Sequence, residues 1–158
     1  MSRGWNVVAG VAAAAAGTTA LNIAAYLDMA VRARPASELP GEAADDLAGR
    51  AGVDLGSGEA GTNRREGLGA LLGYATGLSV GALYGLLAGD RRPPPVAAAL
   101  GLSAAAMIAG DTPLAALGLT DPGEWGVSSW AADAVPHLAY GLTTATVYHW
   151  LTRPPRRR

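Results

Sequence analysis

Three stretches of the chain carry no formal charge, and their lengths set the expected architecture. Between Arg3 and Asp28 lie 24 such residues, between Glu66 and Asp90 there are 23, and between Asp133 and Arg153 there are 19, two of them His. Each is about long enough to cross ~30 Å of hydrocarbon at ~1.5 Å per residue. A fourth segment, Val96 to Leu119, contains one charge, Asp111. Helices of 20 residues in a soluble protein need a polar face, and neither Met1–Leu27 nor Gly67–Gly89 offers one. The pattern therefore predicts an all-α, polytopic membrane protein made of one domain. Its four transmembrane helices are expected over about 5–30, 66–88, 96–119 and 129–151.

Breaks between these segments follow from Pro and Gly. The first helix ends before Pro35 and leads into a polar connection, 31–65, with turns at Leu39-Pro40-Gly41 and Gly56-Ser57-Gly58. Between those turns Glu42 to Val53 reads as a short surface helix. Gly89 and the run Arg91-Arg92-Pro93-Pro94-Pro95 stop the second helix, since consecutive prolines cannot continue one. Pro113 is expected to interrupt or kink the third helix near Asp111, and Pro136 to kink the fourth near its beginning. Asp121-Pro122-Gly123 makes the turn between them, and a basic tail, 152–158, closes the chain. Arg3 ahead of an apolar run resembles a secretory signal peptide, but the run is longer than a usual apolar core, so an uncleaved first helix is preferred.

Composition sharpens this picture. Half of the residues are hydrophobic, carried largely by Ala, with 22 Gly and no Phe, and 16% are charged against about 25% for an average soluble domain. The mean hydropathy of +0.20 leaves an Ala-rich soluble bundle as the competing class, which the missing polar faces argue against. Without cysteine there is no disulfide framework, thiol catalysis or thiolate metal site. All 12 basic residues are Arg, a coding bias that hints at a GC-rich bacterial genome. Four crossings put both termini on one side. That side collects seven Arg against one acid, and the other five Arg against 12 acids, so by the positive-inside rule both termini are expected in the cytoplasm. Trp5, Tyr26, Trp125, Trp130, Tyr148 and Trp150 fall at the predicted boundaries, where amphipathic rings favour the headgroup level.

The second helix carries Gly69, Gly73, Gly77, Gly81, Gly85 and Gly89, a glycine at every fourth position. Residues four apart share a face, so these form a groove without side chains. In lipid, association rests on close packing, which small residues permit. Stripes at Ala12, Ala16, Ala20 and Ala24 and at Ala97, Gly101, Ala105 and Ala109 are natural occupants from the first and third helices. The alternative occupant is a second copy, which would make helix 66–88 a homo-oligomer interface.

Polar groups at membrane depth are costly and generally face a partner or a cavity. Asp28, Asp111, Asp133 and His137 all fall toward the side of the first and third connections, and Asp133 and His137, four apart, share a face. One reading is a shallow polar vestibule that binds a cation, passes protons or holds a headgroup, with His137 titrating near neutral pH. In the other, Asp28 and Asp133 are interfacial and solvated, while Asp111 and His137 satisfy backbone groups freed by Pro113 and Pro136. Catalysis finds no support. Two His without an HExxH pattern make no hydrolytic zinc site, no Gly-x-Ser-x-Gly elbow is present, and Ile108-Ala109-Gly110-Asp111 lacks the first glycine of the Gly-x-Gly-Asp pattern of presenilin-type proteases. No cofactor, metal or nucleic-acid partner is expected. Membrane lipids are, with the Arg tail against anionic headgroups.

Leu117-Gly118-Leu119-Thr120-Asp121-Pro122, followed by Trp125 and then His137-Leu138-Ala139-Tyr140-Gly141-Leu142, resembles the YagU-like family of small, poorly characterised bacterial inner-membrane proteins. The resemblance spans 117–142 and is carried by a Gly-Leu-Thr-x-Pro turn and a downstream His-Leu pair. It implies a bacterial plasma-membrane location, singles out Pro122 and His137, and supplies no activity. The expected function is that of a structural or interaction bundle, the alternative being a small transporter or channel with a polar entry at Asp111, Asp133 and His137.

Overall fold

A computed structural model of the chain describes residues 2–89, 91 and 93–153. Five helices follow one another: α1 (Arg3–Arg32), α2 (Leu39–Arg50), α3 (Gly58–Ala88), α4 (Pro95–Ala116) and α5 (Val127–Leu151), with a 3-10 turn at Pro122–Glu124 before the last. No strand occurs among the described residues. Asp90, Arg92 and most of the basic tail, 154–158, lie outside them.

Three of these helices, α1, α3 and α4, are long and apolar enough to cross a membrane, rather than the four expected. The correction falls on α5. Its 25 residues suffice in length, but Ser128, Ser129, Asp133, His137, Thr143, Thr144, Thr146 and His149 dilute its apolar content. Other boundaries move as well. The second long helix starts at Gly58, eight residues before the predicted Glu66, because Ser57 in an extended conformation opens it ahead of Arg64 and Arg65. The third runs unbroken past Pro113 and stops at Ala116, short of Leu119, where Gly118 turns the chain at φ 74°. The short surface helix spans Leu39–Arg50 and not 42–53, with Pro40 in its first turn, where a missing N–H costs nothing.

The bundle is inverted relative to a soluble core. Its interior consists of one cluster of Ala14, Ala98, Ala99, Leu102, Ala106, Ala145 and Tyr140 and a second of Ala9, Ala13, Ala88 and Tyr148. Large apolar residues point outward instead: Ile23, Leu27 and Val31 on α1, Leu71, Leu86 and Leu87 on α3, Leu100 and Ile108 on α4. In water such a distribution would expose most of the apolar area. In lipid the outside needs no hiding, and small residues inside bring backbones into contact.

Helix α1 is central. It packs against α3 on one side and α5 on the other, and α4 packs against α5. Ala9 and Ala13 of α1 meet Ala88 near the end of α3 and Tyr148 near the end of α5, so the start of α1 and the ends of α3 and α5 share one end of the bundle. Helix α2 lies on the first half of α3. Arg64 donates to the Leu55 carbonyl (2.8 Å), and Arg65 donates to the Gly56 carbonyl (3.3 Å) and pairs with Asp45 (3.7 Å).

Candidate functional site

Four of the six ladder glycines are filled from within the chain. A Cβ on Gly85 would collide with the Asn6 carbonyl, and one on Gly81 with the Ala14 methyl and, at 2.5 Å, the Gly10 carbonyl oxygen. One on Gly77 would stand 2.5 Å from Thr18 Oγ1. Gly69 meets α2, with the Pro40 carbonyl carbon 2.6 Å from where its Cβ would be. Gly73 and Gly89 have nothing within 4 Å of that position. Helix α1 is thus the main occupant of the groove, as one of the two sequence readings holds, but with a different face. Its buried residues are Asn6, Ala9, Gly10, Ala13, Ala14, Gly17 and Thr18. The Ala12-Ala16-Ala20-Ala24 stripe points away from the contact: Ala12 is exposed and the other three are half-buried. On α4 the predicted stripe is likewise turned outward, with Ala97, Gly101 and Ala105 exposed, while Ala98, Ala99, Leu102, Ser103 and Ala106 are buried.

Tyr140 joins three helices. Fully buried on α5, it donates its hydroxyl proton to the Gly77 carbonyl of α3 at 2.7 Å. Its ring edge would touch a Cβ on Gly17 of α1 at 3.0 Å and one on Gly77 at 3.5 Å. The two glycines make room for the ring. Beside it Gly141 lets α5 approach α4, where a side chain would strike Ser103 Oγ and the Ala99 carbonyl. Ser103 Oγ donates back to that same carbonyl at 2.9 Å, which satisfies a hydroxyl in a place without water. Sequence reading placed Tyr140 only within a family resemblance. The available signal was a Tyr beside Gly141 in the middle of an uncharged stretch, where a phenol needs a hydrogen-bond acceptor.

Of the four vestibule residues, three converge. Asp111 on α4 lies in the electrostatic field of Asp133 and His137 on α5. His137 Nδ1 is 3.3 Å from Asp133 Oδ1 and 2.9 Å from the Asp133 backbone carbonyl. That carbonyl lies one turn back along α5, beside Pro136, where the pyrrolidine ring crowds the preceding turn. His137 therefore serves the backbone near the proline and the carboxylate together. Asp28 belongs elsewhere. The backbone of Ala33 adopts the left-handed conformation (φ 52°), which ends α1 and swings Arg34 back to bond Asp28, while Arg32 pairs with the other Asp28 oxygen at 3.0 Å.

Two open grooves mark the outer surface. One, of about 400 Å³, runs between α3 and α4 along Leu72, Thr76, Ser79, Leu83 and Ala109. The other, of about 390 Å³, lies between α2 and α3 along Ala44, Leu47, Leu68 and Leu71. Neither is lined by Asp111, Asp133 or His137. Among the described residues no group of three or more His, Asp or Glu side chains has the arrangement of a metal site. Comparison with known protein families, with curated proteins and with solved structures finds no match to this chain.

Proposed function

We propose that this chain is a small integral protein of the bacterial plasma membrane. Its role is structural or one of protein interaction, its termini are cytoplasmic, and α5 crosses the membrane as a fourth span. The carrying observation is the inverted bundle, with Gly, Ala and Tyr140 inside and Leu, Ile and Val outside. Helix α5 shares that design although its average is too polar to qualify alone. Tyr140, Gly141, Thr144, Ala145 and Tyr148 face the bundle, and Val135, Leu138 and Leu142 face out. Thr144 is thus buried in the bundle, and Asp133 and His137 are partly shielded. Thr146, on the outer side, bonds the Leu142 carbonyl at 2.7 Å. The resemblance of 117–142 to YagU-like proteins agrees with this location. With Gly69, Gly77, Gly81 and Gly85 filled from within the chain, self-association through the middle of the ladder is disfavoured.

One observation favours a second reading, a small transporter or channel: the meeting of Asp111, Asp133 and His137 at one end of the α4–α5 contact. The structural reading comes first because Tyr140 and tight glycine contacts occupy the centre of the bundle.

The chain has no cysteine, so single-cysteine variants report position without background. In right-side-out and inverted vesicles, an impermeant maleimide should label Ser2→Cys and Thr152→Cys from the cytoplasmic side and Ser128→Cys from the opposite side. Labelling of Ser128→Cys and Thr152→Cys from one and the same side would remove α5 from the membrane and end the four-span reading.

A further inference from the structure

The two ends of the bundle hold their arginines differently. At the end where α1 finishes and α3 begins, every guanidinium is engaged by the protein itself. Arg32 and Arg34 pair with Asp28, Arg50 with Asp46 at 2.7 Å and Arg65 with Asp45 at 3.7 Å, while Arg64 donates to the Leu55 carbonyl at 2.8 Å. At the other end Arg3, Arg91 and Arg153 have no such partner. All three are exposed, and their side chains make no hydrogen bond or ion pair among the described residues. Of the 13 acids, 12 belong to the first end, and the exception, Asp90, lies outside the described residues.

Packing brings these three cations to one level. The Asn6 carbonyl of α1 abuts Gly85 of α3, and the rings of Tyr84 on α3 and Tyr148 on α5 meet edge to face with centroids 5.0 Å apart. Those contacts fix one layer through three helices. Arg3 stands three residues outward of Asn6, Arg153 five beyond Tyr148 and Arg91 six beyond Gly85, which puts each about 5–9 Å past the layer. Trp5 and Trp150, 46% and 67% exposed, sit on the same outward side. Indole rings favour the headgroup level, so the free guanidinium groups stand where lipid phosphates are. A guanidinium presents a planar fork of N–H donors that matches a phosphate, and no described carboxylate competes for it there.

We propose that the end of the bundle bearing Arg3, Arg91 and Arg153 is a binding surface for anionic phospholipid headgroups. Lipids seated there contact the start of α1, the connection from α3 to α4 and the end of α5 together. They stabilise the bundle by mass action, since they bind the packed helices and not the separated ones. The opposite end does not select anionic lipid, because its arginines are already engaged. The proposal rests on the chain lying in a bilayer and holds whichever side the termini face. Reversed maleimide labelling therefore leaves it standing, and its own failure leaves the four-span reading standing.

The test is native mass spectrometry of the full chain in dodecylmaltoside micelles, titrated separately with phosphatidylglycerol and with phosphatidylcholine. The wild type should bind phosphatidylglycerol more tightly, a contrast that needs no variant. Arg3→Gln/Arg153→Gln should weaken phosphatidylglycerol binding about 25-fold, roughly fivefold per arginine at the membrane surface, and adding Arg91→Gln should weaken it further. The charge-matched control Arg32→Gln/Arg50→Gln should keep the wild-type affinity, with Arg34 still holding Asp28. Equal affinity of the wild type for the two lipids overturns the proposal, as does an unchanged affinity for phosphatidylglycerol in the triple variant. An equal loss in the control also overturns it, because net charge alone would then govern binding. Displacement of the lipid by millimolar inorganic phosphate would reveal a site for free anions and overturn the assignment to lipid.

Discussion

At the scale of single residues, glycines of identical appearance in the sequence differ by what stands opposite them. Gly81 faces the Ala14 methyl and the Gly10 carbonyl, and Gly73, two turns earlier on the same nominal stripe, faces nothing within 4 Å. A backbone carbonyl cannot swing aside as a flexible side chain can. Gly81→Ala should therefore cost about 1–3 kcal/mol through overpacking. Gly73→Ala should stabilise by up to about 1 kcal/mol, because alanine restricts the unfolded chain and favours helix. Thermal unfolding of both variants in dodecylmaltoside micelles reads the contrast, and equal effects would mean that the α1–α3 contact is not as described. The spacing of four located the stripe. It contained nothing to say that a neighbour crosses it at 77, 81 and 85 and leaves 73 bare, since that depends on how two helices run past each other.

At the scale of elements, the long helices were legible because absence of charge over about 20 residues admits few other interpretations. What was not legible was the packed face. Helix α1 is so rich in Ala and Gly that several stripes look equally suitable, and the buried one passes through Asn6, Gly10, Gly17 and Thr18 instead of the purely alanine one. Polar residues won a place inside because the outside is lipid. Helix α2 tells a different story, since it depends on Gly69 to lie flat on α3 at Pro40–Gly41. Gly69→Val should lift α2 and leave the four-helix contact intact. Tryptic cleavage after Arg50, at the end of α2, should then quicken about tenfold, corresponding to about 1.4 kcal/mol of lost local stability. The main unfolding midpoint should hold, and a matching fall in it would show that α2 is part of the same cooperative unit.

For the whole molecule the decisive property is that the middle of the ladder, Gly77, Gly81 and Gly85, is closed from inside. Gly77 supports Tyr140 on one side and Thr18 on the other, where α1, α3 and α5 come together. Gly77→Leu should therefore abolish the fold. If the ladder were instead a contact between copies, the same substitution would turn an oligomer into a well-folded monomer. Native mass spectrometry with circular dichroism separates these outcomes, and a folded Gly77→Leu monomer would reverse the assignment of the groove.

By itself the sequence determined that the chain is helical and where most of its turns lie, and it placed four spans where three helices are apolar enough to cross a bilayer. Those are local matters of charge spacing, Pro and Gly. It also brought Asp111, Asp133 and His137 to one end of the bundle, because the number of crossings decides which ends coincide. Only the tertiary structure decided which face of each helix is inside, that Asp28 leaves the group for Arg32 and Arg34, and that Tyr140 is the central hydrogen-bonding side chain. The physical reason is that a run of Ala and Gly carries almost no amphipathic signal. Where side chains are nearly uniform, the choice of face passes to backbone-to-backbone fit, and that exists only once the helices have met.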